Sequence, residues 1–168
     1  DMKNNQGYLS IGNSHEIADF VVDNLRWWWT WHGIHLYPDA SQILILCDAG
    51  GANGYRHHRF KMLLLELATE IGLEILIAHY PPYCSKFNPI ERCLFCHVHR
   101  TIQNTLLTDL EQVACLMKNT HTKTGLTVVV RVVEKNYPLK QPSKSILVDE
   151  TRVIRHPKLH KLSYIIYA

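Results

Sequence analysis

The sequence has no long apolar run, and this absence excludes a membrane-spanning helix from its 168 residues. Its unbroken apolar stretches, such as residues 62–65 and 75–78, are only a few residues long. A transmembrane helix needs roughly 20 such residues. The N-terminus also lacks the basic-then-apolar order of a secretion signal. With 46% apolar and 20% charged residues, the composition is that of a globular chain of one domain's size.

Paired cysteines and a large net charge are missing as well. The five cysteines are an odd number, and without a secretion signal they indicate reduced thiols in a cytosol rather than a disulfide framework. The net charge is only +3, yet residues 1–50 hold two basic and six acidic side chains, whereas residues 51–168 hold sixteen and nine. The basic C-terminal portion is compatible with a phosphate-backbone partner, although a solvated surface explains it equally simply.

The middle of the chain has the pattern of a parallel βαβ unit. Residues 43–47 form a continuous apolar run, which predicts a strand buried on both faces of a central sheet. Residues 73–79 predict a second buried strand, and residues 55–71 between them predict a helix stopped by Gly72. The order strand, helix, strand indicates the α/β class.

The flanking segments predict further elements. Residues 7–12 read as a short strand, and residues 13–16 offer a cap for a helix that runs to about His32. Four tryptophans near the end of that helix predict packing onto a neighbour, with a base-stacking platform as the alternative. Helices at 90–102 and 109–119 and a strand at 125–133 follow. Beyond residue 138 the chain is basic and irregular, with a last apolar segment at 162–167.

Two acidic residues stand out by position. Asp48 follows a buried strand at its carboxyl end, where open α/β sheets place their sites. Glu91 opens a helix directly after a proline-rich loop. Taken separately, each carboxylate is explained by an ordinary structural role, such as a turn, a cap or an interaction with the helix dipole.

The segments around these two carboxylates resemble a known family. Asp48-Ala-Gly-Gly-Ala-Asn-Gly54, His79-Tyr-Pro-Pro82 and Ser85-Lys-Phe-Asn-Pro-Ile-Glu91 are similar to the bacterial insertion-sequence transposases of the Asp-Asp-Glu (DDE) type. The resemblance runs from Gly7 to the Tyr137-Pro138 region. The sequence departs from the family pattern at Ala49, Phe87 and Arg92, none of which is a metal ligand there.

The resemblance implies an RNase H-like α/β fold, a mixed sheet flanked by helices, that gathers three carboxylates around two divalent ions. By motif match, Asp48 and Glu91 are the second and third catalytic carboxylates and ligands of Mg²⁺, with Mn²⁺ as a substitute. The activity implied is cleavage and joining of DNA strands at transposon ends.

No residue of this sequence stands in the context of the first aspartate. The sequence therefore predicts a chain truncated at its N-terminus that lacks its first strands and is inactive by itself, although its parent is active. A non-catalytic RNase H-like remnant that binds nucleic acid or a protein is the alternative.

DNA, both transposon ends and target, is the implied partner. We also expect the parent to self-associate and to have no membrane partner. The expected location is the bacterial cytoplasm, at the nucleoid. Four residues are predicted to contact or position DNA: Lys86, Asn88, Arg56 and Arg59. The domain organisation expected is a partial catalytic core at 1–133 and a basic extension at 134–168, whose lysines and arginines track the DNA backbone.

A competing motif follows Glu91. Cys93-Leu-Phe-Cys96-His97 matches the haem-attachment pattern, which requires export, and zinc binding by these residues would need a further ligand pair and a loop. On a helix, Cys93 and Cys96 share one face. We expect both thiols to be free and buried in the core.

Overall fold

The computed structural model describes residues 1–48, 50–139 and 148–168, which form two compact units. The first unit comprises residues 1–15 and 86–136, and the second comprises residues 16–85 and 137–168, as far as these are described. The elements in chain order are β1 (Gln6–Gly12), α1 (Ala18–Trp28), α2 (Ile34–Leu36), β2 (Gln42–Cys47), α3 (His58–Ile71), β3 (Glu74–His79), α4 (Cys96–Ile102), α5 (Leu110–Lys118), β4 (Thr127–Val133), β5 (Val153–Arg155) and β6 (Ser163–Ile166).

The second unit contains a four-stranded mixed sheet in the order β2-β3-β6-β5. Strands β2 and β3 are parallel and connected through α3, which confirms the predicted βαβ unit. Strand β6 pairs antiparallel with both β3 and β5. Helix α3 ends where Gly72 adopts a left-handed conformation (φ 68°), as predicted, because this φ is costly for any residue with a Cβ.

The core of the second unit lies against one face of this sheet. Alternate residues of β3 and β6 pack with α1 and α3, and their most buried members are Ile75, Ile77, Ile166, Phe60 and Leu64. The prediction that residues 43–47 are buried on both faces of a central strand is wrong. Strand β2 lies at the edge of the sheet, and Leu44 is 54% exposed.

The first helix of the second unit differs from its prediction at both ends. It begins at Ala18, and Ile17 at the N-cap position makes no side-chain cap, so residues 13–16 do not cap it. A π-helical turn (Trp29–Gly33) and α2 continue it beyond Trp28. Trp29 is buried and Trp31 is exposed.

The first unit is built on a two-stranded parallel sheet. Strands β1 and β4 pair from Gln6 with Thr127 to Gly12 with Val133. Its core joins β4 to α5 and to the helix that follows Glu91, and the residues involved are Leu94, Val98, Ala114, Leu126, Val128 and Val130.

The prediction that Cys93 and Cys96 are buried in the core is wrong. Cys93 is exposed and Cys96 is half-buried, because Leu94 and Val98, four residues apart, supply the core-facing side of this helix. All five thiols are free.

The C-terminal tail is not an irregular segment, since β5 and β6 are strands of the second unit's sheet. Two of its predicted DNA-tracking lysines, Lys140 and Lys144, lie outside the described residues. The division into a core at 1–133 and an extension at 134–168 stays a prediction. None of the helices in the described ranges combines the length and the apolar character that crossing a bilayer requires.

Candidate active site

Asp48 is the first residue after β2, at the carboxyl end of the strand, and it is exposed. Its Oδ1 accepts a hydrogen bond from the backbone N–H of Gly50 at 3.1 Å, which orients the carboxylate over the turn that follows. No hydrogen bond in the described part of the chain uses Oδ2. The carboxylate therefore has acceptor capacity left for a ligand.

Side-chain oxygens of two residues border the space over Gly50. A Cβ added to Gly50 would lie 3.2 Å from Oδ1 of Asp48 and 3.6 Å from both Asp48 Oδ2 and Asn53 Oδ1. Asn53 Oδ1 is buried and has no hydrogen-bond partner among the described residues. A buried acceptor without a partner is costly unless another group uses it. Carboxylate and amide oxygens are the ligands that Mg²⁺ and Mn²⁺ prefer, so this donor set fits such an ion.

His79 connects this turn to the sheet. Its Nε2 lies 2.8 Å from the carbonyl oxygen of Asn53, and its Nδ1 lies 3.2 Å from that of Leu162. The ring is buried and packs against Tyr164, with centroids 5.9 Å apart. Burial lowers the pKa of His79, and the two carbonyl oxygens oppose that shift. The position of Asn53 therefore depends on β3 and on the segment before β6.

The basic residues after the turn each contact a different part of the protein. Arg59 forms a two-pronged ion pair with Asp19, with Nε 2.6 Å from Oδ2. This pair links α3 to α1 and occupies the guanidinium that the sequence predicts for DNA. Arg56 is exposed, and its guanidinium lies 5.2 Å from the centroid of the Tyr55 ring. His57 Nδ1 accepts from the N–H of Phe60 at 3.3 Å and caps α3.

Glu91 opens a π-helical turn (Glu91–Phe95) that leads into α4, and it is half-buried. Asn88 is buried, and its Oδ1 accepts from the N–H of Ile90 at 3.4 Å. The Asn88 carbonyl also accepts from the N–H of Glu91 at 3.1 Å. Asn88 thus holds the backbone that enters the helix. Lys86 is exposed, with Nζ 5.1 Å from the Phe87 ring centroid.

The two predicted metal ligands belong to different units, Asp48 to the second and Glu91 to the first. Their convergence on one metal site stays a prediction. Within residues 1–48, 50–139 and 148–168, no group of three or more His, Cys, Asp and Glu side chains could hold a metal ion. Asn53, whose Oδ1 borders the same space as the Asp48 carboxylate, was not among the site residues predicted from the sequence. Its place in the Asn-Gly end of the glycine-rich turn was the available signal.

The structure is consistent with an RNase H-like DDE transposase domain. It has two sheets with flanking helices, an aspartate at the end of a parallel strand, and a helix opened by a glutamate. A family model described as Rhodopirellula transposase DDE domain matches residues 1–168, the whole sequence. No curated protein and no solved structure matches the chain. The chain belongs to this family of insertion-sequence DDE transposases.

Proposed function

We propose that this domain supplies catalytic carboxylates for divalent-metal-dependent phosphoryl transfer on DNA, by which the parent transposase cleaves and joins strands at transposon ends. Membership of a transposase family supports DNA as the substrate. The observation that carries the metal assignment is the set of oxygens from Asp48 and Asn53 around Gly50. Mg²⁺ is the ion proposed, with Mn²⁺ as a substitute, because both prefer oxygen ligands.

Asp48, Asn53 and Glu91 are the proposed metal ligands. Divalent ions at such sites activate the attacking oxygen and stabilise the leaving oxygen of a phosphodiester. Asn53 joins the ligand set because its Oδ1 is buried without a hydrogen-bond partner in the described part of the chain.

The surrounding residues position these ligands. His79 holds the Asn53 carbonyl, and Asn88 holds the backbone at Glu91. Arg56 and Lys86 are exposed and are the proposed phosphate contacts, whereas Arg59 stabilises the packing of α3 on α1 through Asp19. We place the protein at the bacterial nucleoid and expect the transposase to self-associate on DNA.

An excision assay in cells tests the catalytic assignment. The complete transposase coding sequence is expressed beside a donor plasmid that carries the element's ends. Asp48→Asn and Glu91→Gln should each lower excision at least about 100-fold, because each removes a charged ligand. Asp39→Asn and Glu134→Gln alter exposed carboxylates elsewhere and serve as matched controls. Excision at the wild-type level in Asp48→Asn would refute the assignment, and wild-type DNA binding without excision would favour the non-catalytic alternative.

Manganese binding provides an independent measurement. Electron paramagnetic resonance of the purified chain with Mn²⁺ counts free and bound ion directly. Asp48→Asn should abolish the high-affinity fraction, and Asn53→Ala should lower its affinity about 10-fold or more. Equal Mn²⁺ binding by the wild type and Asp48→Asn would show that the ion is held elsewhere.

A further inference from the structure

The second unit contains a positively charged pocket of about 370 Å³ beside the N-terminal end of α3. Its walls come from the loop before α3, from α3 itself, and from the end of β5 and the connection to β6. We call it the cationic pocket and define it by its lining residues: Tyr55, Arg56, His58, Lys61, Arg155 and Lys161. The chain thus brings together basic residues that lie about a hundred positions apart in the sequence.

Lys61 is the unusual member of the cationic pocket. It is only 6% exposed, and its Nζ lies 5.6 Å from the centroid of the Tyr164 ring. It forms no hydrogen bond or ion pair within the described ranges. Burial lowers its pKa, the nearby Arg155 acts in the same direction, and Glu150 opposes both. The ammonium group of this otherwise buried residue opens onto the pocket, where an anionic acceptor can reach it.

The other cations of the cationic pocket differ in whether they have an acidic partner. Arg155 has an acidic partner, Glu150, at 2.7 Å. Within the described part of the chain, Arg56 contacts the Tyr55 ring and has no ion pair, and Lys161 forms no ion pair either. Like charges in one pocket repel each other unless an anion lies between them. This arrangement fits an anionic ligand with several acceptor oxygens.

The cationic pocket adjoins the turn that carries Asp48. Tyr55 lines the pocket, and its ring also contacts His79, with centroids 6.3 Å apart. Tyr164 contacts both Lys61 and His79. Because His79 also contacts the carbonyl oxygen of Asn53, it connects the residues of the pocket to the proposed metal ligand Asn53.

We propose that the cationic pocket binds a phosphate group of the DNA backbone and seats the strand beside the Asp48 turn. The identity of the ligand as DNA rests on the proposed function. Arginine and lysine donors recognise phosphate oxygens, and backbone phosphates carry no base identity. The pocket therefore contributes sequence-independent affinity, and the bound phosphate supplies Lys61 with an acceptor that the described residues do not.

The test measures binding of a fluorescent DNA duplex by anisotropy, in EDTA and over a series of salt concentrations. EDTA removes any contribution from the proposed metal site. Lys61→Met and Lys161→Gln should each weaken binding and reduce the slope of log affinity against log salt by about 0.9, the value for one phosphate contact. Lys118→Gln, an exposed change on α5, is the matched control and should leave the slope unchanged. Lys161 is exposed, so its variant remains informative even where Lys61→Met fails to fold.

A second titration with inorganic phosphate separates the two sources of a phosphate group. The proposal is supported where the salt slope falls in the pocket variants that fold, with or without a phosphate-dependent rise in the melting temperature of the wild type, because cations that bind a backbone phosphate can also bind the free anion. A phosphate-dependent rise in the wild type alone, with unchanged DNA slopes, would assign the pocket to a free anion and overturn the proposal. Unchanged slopes without that rise would overturn it too and leave the proposed function standing. Failure of the wild type to bind DNA would overturn both.

Discussion

Replacing Gly50 with alanine should weaken manganese binding, while the same replacement at Gly51 should not. The two glycines are adjacent and both lie in the turn after Asp48. A Cβ on Gly50 would lie 3.2 Å from Asp48 Oδ1 and 3.6 Å from Asn53 Oδ1, whereas a Cβ on Gly51 would have no atom within 4 Å. The change therefore introduces one methyl group among the proposed ligand oxygens, and its neighbour provides a matched control.

The expected magnitude follows from the contact to Asp48. A separation of 3.2 Å is closer than an ordinary van der Waals contact, so the carboxylate must move by a few tenths of an ångström. If that movement takes the side chain as far as about 30° from its rotamer, it costs about 0.5–1.5 kcal/mol. That cost corresponds to about a two- to tenfold loss of affinity. The loss of unfolded-state entropy on changing glycine to alanine applies to both variants and does not separate them.

Paramagnetic resonance titrations of Mn²⁺ into the wild type and the two glycine variants provide the assay. Asp48→Asn marks the complete loss of the site. The reasoning is supported where Gly50→Ala binds Mn²⁺ two- to tenfold more weakly and Gly51→Ala matches the wild type. Equal affinities for the two alanine variants would refute the idea that oxygens over Gly50 hold the ion.

Two further predictions concern packing and thiol chemistry. A Cβ on Gly7 would lie 2.5 Å from Cδ1 of Leu94, so Gly7→Ala should destabilise the protein by about 1–3 kcal/mol in urea unfolding. The Gly7→Ala/Leu94→Ala double variant should lose less than the sum of the single changes, and strict additivity would contradict the contact. Burial raises the pKa of Cys47 to about 12, so at pH 8 its thiol stays protonated and resists alkylation. Mass spectrometry should find the exposed Cys93 and Cys115 alkylated before Cys47, and faster modification of Cys47 would contradict its burial.

Local patterns were sufficient for the family and for most strands and helices, although they missed β5. The βαβ unit, the stop at Gly72 and the motifs around Asp48 and Glu91 are all properties of short segments, because turn chemistry and hydrophobic periodicity act over a few residues. The same patterns did not show that β2 is an edge strand with Leu44 exposed, since an apolar run does not record which strands will flank it.

The sequence by itself determined where the candidate chemistry lies along the chain, and the tertiary structure decided which groups surround it. Helical spacing placed Cys93 and Cys96 on one face, but the packing of Leu94 against Gly7 decided which face is buried. Composition showed a basic C-terminal portion, and only the pairing of β6 with β3 and β5 brought Arg155 and Lys161 to Lys61. Contacts between residues far apart in the chain depend on the strand pairing that loop closure permits. That information is spread over the whole sequence and is absent from any single motif.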